Sequence, residues 1–390
     1  MQHQISERSG NKKTLLLFGI GRLSWMMDKG NVWYLRHYEQ WFDEVICCYL
    51  VGSWPEIERQ GATSLISLGS RSPLVDIIMA PWRLYRYARR TRPTRVLTAD
   101  IVFGWWTSSL LRLFLRMKID VMPVCILPEI YKSTGRSLSR LPIWLERISV
   151  VLTFRSANRV ITPKNSDVSL SWLRSEKSVD GRLTVVPCIV DEFPPQLFFE
   201  RLETARLARL NRPQRPEFVL LYVGRLHHEK KVDGLIGLMS ELRKNGTNAR
   251  LVIAGDGPER SALEAAASSA GVASNIDWLG FVTNERLPEV YADADVFIST
   301  VTGTALREAG LIGLPVVAYD IDWVSQLLEH EKTALLVPPG DVIAMAREVG
   351  RLSEDPVLYE TIASGFHDVA LSRWSTALLK DALRETFESA

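Results

Sequence analysis

The sequence predicts an α/β protein built from two doubly wound domains. Apolar strand-like runs alternate with helical patterns along most of the 390 residues, the order expected of parallel sheets joined by crossover helices. The length suits two domains of ordinary size. Charge is also divided between the halves. Residues 1–190 hold 27 Lys and Arg against 15 Asp and Glu, and residues 191–390 hold 20 against 30, so the two domains are expected to meet different partners.

In the first half, strands are expected at Thr14–Ile20, Val45–Leu50, Ser64–Leu68, Arg95–Ala99, Val121–Leu127, Arg159–Thr162 and Leu183–Pro187, with helices such as Val32–Phe42 and Pro73–Arg90 between them. In the second half, strands are expected at Phe218–Val223, Leu251–Ala254, Ile276–Leu279, Val296–Ser299, Val316–Tyr319 and Ala334–Val337. Helices fill the gaps at Val232–Lys244, Pro258–Ala270, Glu285–Ala292, Thr304–Leu311 and Val342–Ser353. The connector is expected at Asp191–Pro216, where Pro194, Pro195, Pro213 and Pro216 flank a charged helical piece, Phe198–Leu210, because proline favours turns and extended connectors. The first domain is therefore set at residues 1–195 and the second at 214–371. A last amphipathic helix, Thr376–Ser389, follows a break at Ser372–Ser375, and residues 372–390 are expected to pack back on the first domain.

Hydrophobic content of 46% with 24% charge describes a soluble globular chain. No apolar run reaches the roughly 18 residues that a spanning helix needs, and MQHQISERSGNKK lacks the apolar core of a secretory signal. A cytoplasmic protein, able to sit peripherally on the inner face of a membrane, is expected. Cys47, Cys48, Cys125 and Cys188 show no metal-ligand spacing and read as reduced thiols.

The most telling stretch is VFISTVTGTALREAGLIGLPVVA, Val296–Ala318. A buried strand runs into a glycine-bearing loop and a helix, which aims backbone N–H groups and the positive end of a helix dipole at one point. Glu308 lies a turn inside that helix. Upstream, LYVGRLHHEK places Gly224 at a strand end with two cations, Arg225 and Lys230, five residues apart. A guanidinium fork and an ammonium at the carboxyl end of a parallel strand suit a diphosphate. LVIAGDGP, Leu251–Pro258, is a further strand and turn, and Gly255 and Gly257 read as turn glycines that touch no ligand. Asp293-Ala294-Asp295 and Asp320-Ile321-Asp322 read as capping or surface acids and not as metal ligands. His227-His228 has neither helical ligand spacing nor a third ligand by sequence, so no metal site is expected.

GRLxxxK from Gly224 to Lys230, the AGDGP turn, NIxxLGFV (Asn275–Val282), LPEVYADADVF (Leu287–Phe297) and EAxxxGxPVVA (Glu308–Ala318) stand in this order. Together they resemble the donor domain of the retaining glycosyltransferase family 4, whose fold is GT-B. The resemblance covers Glu217–Pro356, with weaker echoes at Thr14–Arg22, Ser156–Ser166 and Val185–Asp191. It implies two Rossmann-like domains facing across a cleft and a nucleotide-sugar donor on the second. Arg225 and Lys230 match the cations on the donor diphosphate. Gly303, Thr304 and Ala305, with Gly224, match the backbone cradle for phosphate, and Glu308 the acid on the ribose. Phe281 and Val282 match the segment beside the base. Metal is not required on this pattern, and no separate cofactor is implied.

The chain departs from the family at three places. Thr300 stands eight residues before Glu308, where the family carries a second acid. Leu127-Pro128-Glu129 replaces a His-containing segment, which makes Glu129 a catalytic candidate, with Asp28 and Asp100 as other acids near strand ends. Cys188-Ile189 replaces an Asn-Gly turn. Gly303–Trp323 resembles a subgroup that also lacks the first acid. The implied activity is transfer of a sugar with retention, from a nucleotide sugar to a saccharide or lipid-linked saccharide, in surface polysaccharide or glycoconjugate synthesis. The alternatives are a sugar-nucleotide epimerase on the same fold or a silent nucleotide-sugar-binding partner subunit.

The first domain supplies an acceptor hypothesis. PWRLYRYARRTRPTR carries Arg83, Arg86, Arg89, Arg90, Arg92 and Arg95 interleaved with Trp82, Tyr85 and Tyr87, and LLRLFLRMK follows at Leu110–Lys118. Such helices can lie on anionic membranes or can be ordinary solvated faces. No nucleic-acid-binding motif accompanies the charge.

Overall fold

The computed structural model describes residues 12–19, 36–51, 58–70, 72–98, 100, 104–122, 143–163, 173–174, 176–186, 196–211, 216–301, 303–321 and 324–388. The chain divides into two compact units, one formed by Met1–Pro195 with Leu379–Ala390 and the other by Gln196–Leu378.

The first unit holds β1 (Thr14–Gly19), β2 (Glu44–Tyr49), β3 (Glu58–Gln60), β4 (Thr63–Ser67), β5 (Arg95–Thr98), β6 (Ile119–Val121), β7 (Arg159–Pro163) and β8 (Leu183–Val186). They form one sheet in the order β3-β4-β2-β1-β5-β6-β7-β8, parallel except for the short edge pair β3 and β4. Among the described residues three crossover helices accompany it: α1 (Pro73–Thr91), α2 (Gly104–Leu115) and α3 (Ile143–Ser156). Strand order reverses between β1 and β5, and Asp100 lies just past β5 with its N–H donated to Thr98 Oγ1. Glu129, Asp28, Cys125 and Cys188 lie outside the described residues. Cys47 and Cys48 are buried in β2, and burial raises the Cys48 thiol further than the adjacent Cys47 does.

Two expectations for this half change. Val32–Phe42 is described from Arg36 onward, and there a 3-10 turn, Arg36–Gln40, replaces the helix. The antiparallel edge strand β3 was not expected. Three residues carry too little alternation to be legible.

The second unit holds β9 (Phe218–Val223), β10 (Ala249–Ala254), β11 (Ile276–Gly280), β12 (Val296–Ser299), β13 (Val316–Tyr319) and β14 (Leu335–Val337), all parallel in the order β11-β10-β9-β12-β13-β14. Its helices are α4 (Gln196–Leu210), α5 (Gly234–Lys244), α6 (Arg260–Ser269), α7 (Leu287–Ala292), α8 (Thr304–Leu311), α9 (Val324–Leu327), α10 (Val342–Glu354) and α11 (Pro356–Trp374). The central strands are buried on both faces; Leu220, Leu251, Ile298 and Val317 are inaccessible to solvent, as a parallel sheet covered by helices requires.

Helix α4 falls within the expected connector but is part of the second unit. Phe198 and Leu202 are buried, Arg201 donates to the Glu285 carbonyl, and Arg209 donates to the Gly313 carbonyl. Its weak amphipathic pattern, flanked by prolines, hid that packing. The break expected at 372–375 is confined to Ser375, which caps α11 in extended conformation.

A final helix, α12 (Thr376–Phe387), packs its C-terminal end on the first unit. Phe387 meets Tyr38 and Phe42 edge-on, at 5.7 and 5.1 Å between ring centres. Beneath it, Asp120 is buried and accepts from Arg159 at 3.1 and 2.7 Å, with Arg95 at 3.6 Å. Both arginines also donate to the Thr386 carbonyl, at 3.1 Å from Arg95 and 2.6 Å from Arg159. One carboxylate thus lies against both cations that hold the helix end. Asp120→Ala leaves those cations partly buried and unpaired, and should cost about 3–5 kcal/mol. A chemical-denaturation midpoint would measure the loss, and exchange of α12 amides should rise with it.

Candidate functional site

Strand order in the second unit reverses between β9 and β12, and the crevice at the carboxyl ends of such strands is where open α/β sheets bind ligands. The two strands are joined at their starts, where Asp295 Oδ2 accepts from the Val219 N–H at 2.7 Å. Asp295 thus ties two strands, rather than capping a helix or lying at the surface, and Asp293 stands at the C-cap of α7. Asp320 is exposed beyond β13, while Asp322 lies outside the described residues.

At the carboxyl end, three loops converge. Gly224 follows β9 and donates to the Ala254 carbonyl at 3.1 Å. Leu226 donates to the Asp256 carbonyl at 3.0 Å, and Glu259 donates to the Leu226 carbonyl at 3.1 Å. The loop after β10 therefore lies directly against the loop after β9. A Cβ on Gly255 would sit 1.8 Å from the Gly224 oxygen, and one on Gly257 would sit 2.2 Å from the Leu226 oxygen. Close backbone approach is what these glycines permit.

Arg225 is exposed. Lys230 ends a 3-10 turn, His228–Lys230, and its carbonyl accepts from Thr300 Oγ1 at 2.6 Å. Thr300 is 1% exposed, so its hydroxyl clasps the end of β12 to the cationic loop. Tyr222, the penultimate residue of β9, brings its phenol within 3.4 Å of the Arg225 carbonyl. Burial raises that phenol's pKa, against a hydrogen bond with Thr300 and the nearby Arg225 cation. Tyr222 is the member of the site that sequence reasoning missed. An inward tyrosine in a central strand, whose hydroxyl needs a partner, was the available signal.

Helix α8 begins at Thr304, with Gly303 before it, and among the described residues no side chain caps its first turn. The leading N–H groups of such a helix need outside partners. Gly303 has φ 172°, extended backbone open to any residue, and a Cβ there would meet nothing within 4 Å. Neither its conformation nor packing among the described residues calls for glycine, so against those residues the position keeps open the space in front of the helix end. At its other end α8 is clamped: a Cβ on Gly310 would come within 2.9 Å of Ala370 and Phe366, and His367 Nδ1 is 3.0 Å from the Gly310 carbonyl.

Glu308 is buried in α8, and its Oε2 accepts from the Tyr291 hydroxyl at 2.7 Å. Burial pushes the Glu308 carboxyl up to about 7, against the lowering by Tyr291 and Arg307. Phe281 follows β11 at the same sheet edge and is 61% exposed, beside the partly buried Val282. Gly224, Arg225, Lys230, Thr300, Gly303, Thr304 and Ala305 are thus placed on the two loops at the strand-order reversal, with Phe281 further along that edge.

The structure adds one correction. Glu229 joins His227 and His228, and potential ligand atoms of the three lie within 4.8 Å of one another. His227 Nδ1 already accepts from the Glu229 N–H at 3.4 Å. The turn, rather than a helical repeat, brings the third group in.

Residues 207–365 match the family model described as glycosyl transferases group 1. The match lies within the second unit. Alpha-D-kanosaminyltransferase of Streptomyces kanamyceticus is 31% identical over 169 residues, 42% of this chain and 44% of that protein. The lipopolysaccharide core biosynthesis glycosyltransferase LpsD of Rhizobium meliloti is 31% identical over 173 residues, 44% of this chain and 49% of that protein. The aligned regions thus span about half the length of these curated relatives. Among solved structures, sucrose-phosphate synthase of Thermosynechococcus elongatus superposes with a TM-score of 0.72 at 18% identity, covering 97% of this chain and 100% of that one. HepE of Anabaena, in complex with UDP and glucose, gives 0.68 at 19% identity, with 97% and 100% covered. The fold is GT-B, as the group 1 motifs implied.

The raised Glu308 carboxyl has a measurable consequence for this domain. Between pH about 4.5, its ordinary value, and about 7, the folded state alone holds the proton. Stability therefore falls as pH rises through that window and stays lower above it. Glu308→Gln, which can still accept from Tyr291, should match the parent at pH near 4 and be more stable near pH 8, by on the order of 3 kcal/mol at most. Thermal melts across pH would show equal curves at both ends if burial does not shift this group.

Proposed function

We propose that the protein is a retaining family 4 glycosyltransferase. It takes a sugar from a nucleotide-sugar donor held by the second unit and delivers it to a saccharide or lipid-linked saccharide acceptor carried by the first. The observation that supports this most is the uncapped start of α8, kept open by Gly303, standing at the strand-order reversal beside the Arg225–Lys230 loop. Cleaving a sugar–phosphate bond builds negative charge on the departing nucleotide. Preset N–H groups and cations around that charge lower the barrier, because they need not reorganise as it forms.

In this reading Arg225 and Lys230 hold the diphosphate, and Gly224, Gly303, Thr304 and Ala305 give it close backbone approach. Glu308 accepts from the ribose hydroxyls, Phe281 and Val282 flank the base, and Thr300 aligns Lys230. Glu129 is the acid proposed for the acceptor side. No metal is needed, since fixed cations already meet the leaving charge. The product is a surface polysaccharide or other glycoconjugate. The engaged Thr300 hydroxyl favours one second reading, a partner subunit that binds nucleotide sugar without transferring it.

UDP, the nucleotide bound in the HepE structure, is a suitable probe for titration calorimetry. Arg225→Gln should weaken it by about 10- to 100-fold, the worth of one charged hydrogen bond. Gly303→Ala should do the same while leaving stability within about 0.5 kcal/mol, the range of surface changes. Unchanged affinity in both would refute the donor site. Transfer that survives EDTA, with the anomeric configuration of the donor kept in the product by NMR, supports the retaining, metal-independent reaction; binding without transfer to any acceptor supports the silent subunit.

A further inference from the structure

The first unit leaves an unusual amount of large apolar surface uncovered on three neighbouring helices. On α1, Leu74, Ile78 and Trp82 recur four residues apart and are 76%, 69% and 52% exposed. Val75 and Met79 lie beside them, also exposed, while Ala80, Leu84 and Ala88 bury the opposite face. On α2, Leu113 and Phe114 are 74% and 60% exposed. The two patches are joined: Trp82 stacks on Tyr85 at 5.5 Å, and Tyr85 meets Phe114 edge-on at 5.9 Å. Trp144 and Ile148 on α3 extend the exposed apolar surface to the next helix.

The solvent face of α1 changes character along its axis. Arg86 and Arg90 continue from Trp82 at four-residue steps, and Arg89 lies seven residues on, so exposed cations follow the apolar stripe on the same face. The sequence expectation for this helix is thereby refined. Arg83 is paired with buried Asp76 at 2.6 Å and Arg95 is spent on Asp120, so neither contributes. Beyond the end of α2, Arg116 and Lys118 are exposed. Asp100 is the only acid between residues 77 and 119, and it sits past the carboxyl end of β5, away from the C-terminal ends of these helices. Arg112 and Arg182 share the α3 C-terminal carbonyls with Arg155 close by, so further cations crowd the same edge.

We propose that the outer face of α1 and α2 docks on an anionic lipid bilayer, with Leu74, Ile78 and Trp82 in the acyl boundary and Arg86, Arg89 and Arg90 on headgroup phosphates. An amphipathic helix with aromatic and aliphatic residues beside arginine is built for that boundary. A second copy of the chain fits less well. A two-fold contact would set this cationic face against itself with no acid on it to pair. Helix α1 follows β4, so its apolar N-terminal half starts at the carboxyl edge of the sheet, the edge at which open α/β sheets place ligands. Docking stands without the transferase reading; that it delivers a lipid-linked acceptor rests on that reading.

The test is flotation of the full chain with vesicles of phosphatidylcholine alone or mixed with phosphatidylglycerol. Binding is expected only with phosphatidylglycerol, falling with salt. Ile78→Asp and Trp82→Glu should each abolish it, and Arg89→Gln with Arg90→Gln should weaken it by about 30-fold. All variants should bind UDP as the parent does, which separates this outcome from loss of fold. Equal binding to both vesicles, binding indifferent to these substitutions, or a dimer in sedimentation that Trp82→Glu dissociates would each overturn the proposal. Vesicle binding without UDP binding would instead count against the transferase reading alone.

Discussion

The site depends on the parallel pairing of β9 with β12. These strands are far apart in sequence, and their adjacency turns two unrelated loops into one surface. The pairing is tied at both ends. Asp295 accepts from Val219 where the strands begin, and Thr300 donates to Lys230 where they end. Helix α8 then starts from the far side of the same reversal. Fixing the cationic loop and the helix end to one rigid sheet lets a charged ligand be met without the loops first having to be ordered, which is the cost preorganised sites avoid.

Around that pairing, polarity is spent in specific places. The Tyr222 phenol, the Thr300 hydroxyl and the Lys230 carbonyl sit together under the site. The Glu308 carboxyl is held at the edge of ionisation by burial and answered by Tyr291. Buried groups of this kind are costly unless partnered. The glycines follow the same logic from the steric side: Gly255 and Gly257 let two backbones touch, whereas Gly303 leaves space that no described residue fills.

The first unit uses its polar chemistry differently. Asp120 gathers Arg95 and Arg159 around the end of α12, while α1 presents Arg86, Arg89 and Arg90 outward. Basic composition in this half thus has two origins, one structural and one left on the surface. Arg83 and Arg95 could not be separated from Arg86, Arg89 and Arg90 by counting charge, since only the fold decides which guanidinium meets a carboxylate.

By itself the sequence determined most of the strands, because buried parallel strands are short apolar runs bounded by turns, and β9, β12 and β13 match their expected limits. It also determined the strand, glycine loop and helix of Val296–Ala318, since these lie consecutively. Local patterns carry that information. Tertiary structure alone decided that α4 is a packed member of the second unit, that Thr300 clasps Lys230, that Tyr222 belongs to the site and that Glu229 reaches His227 and His228. Each of these rests on the direction a side chain takes or on neighbours far apart in the chain, and neither follows from periodicity or composition.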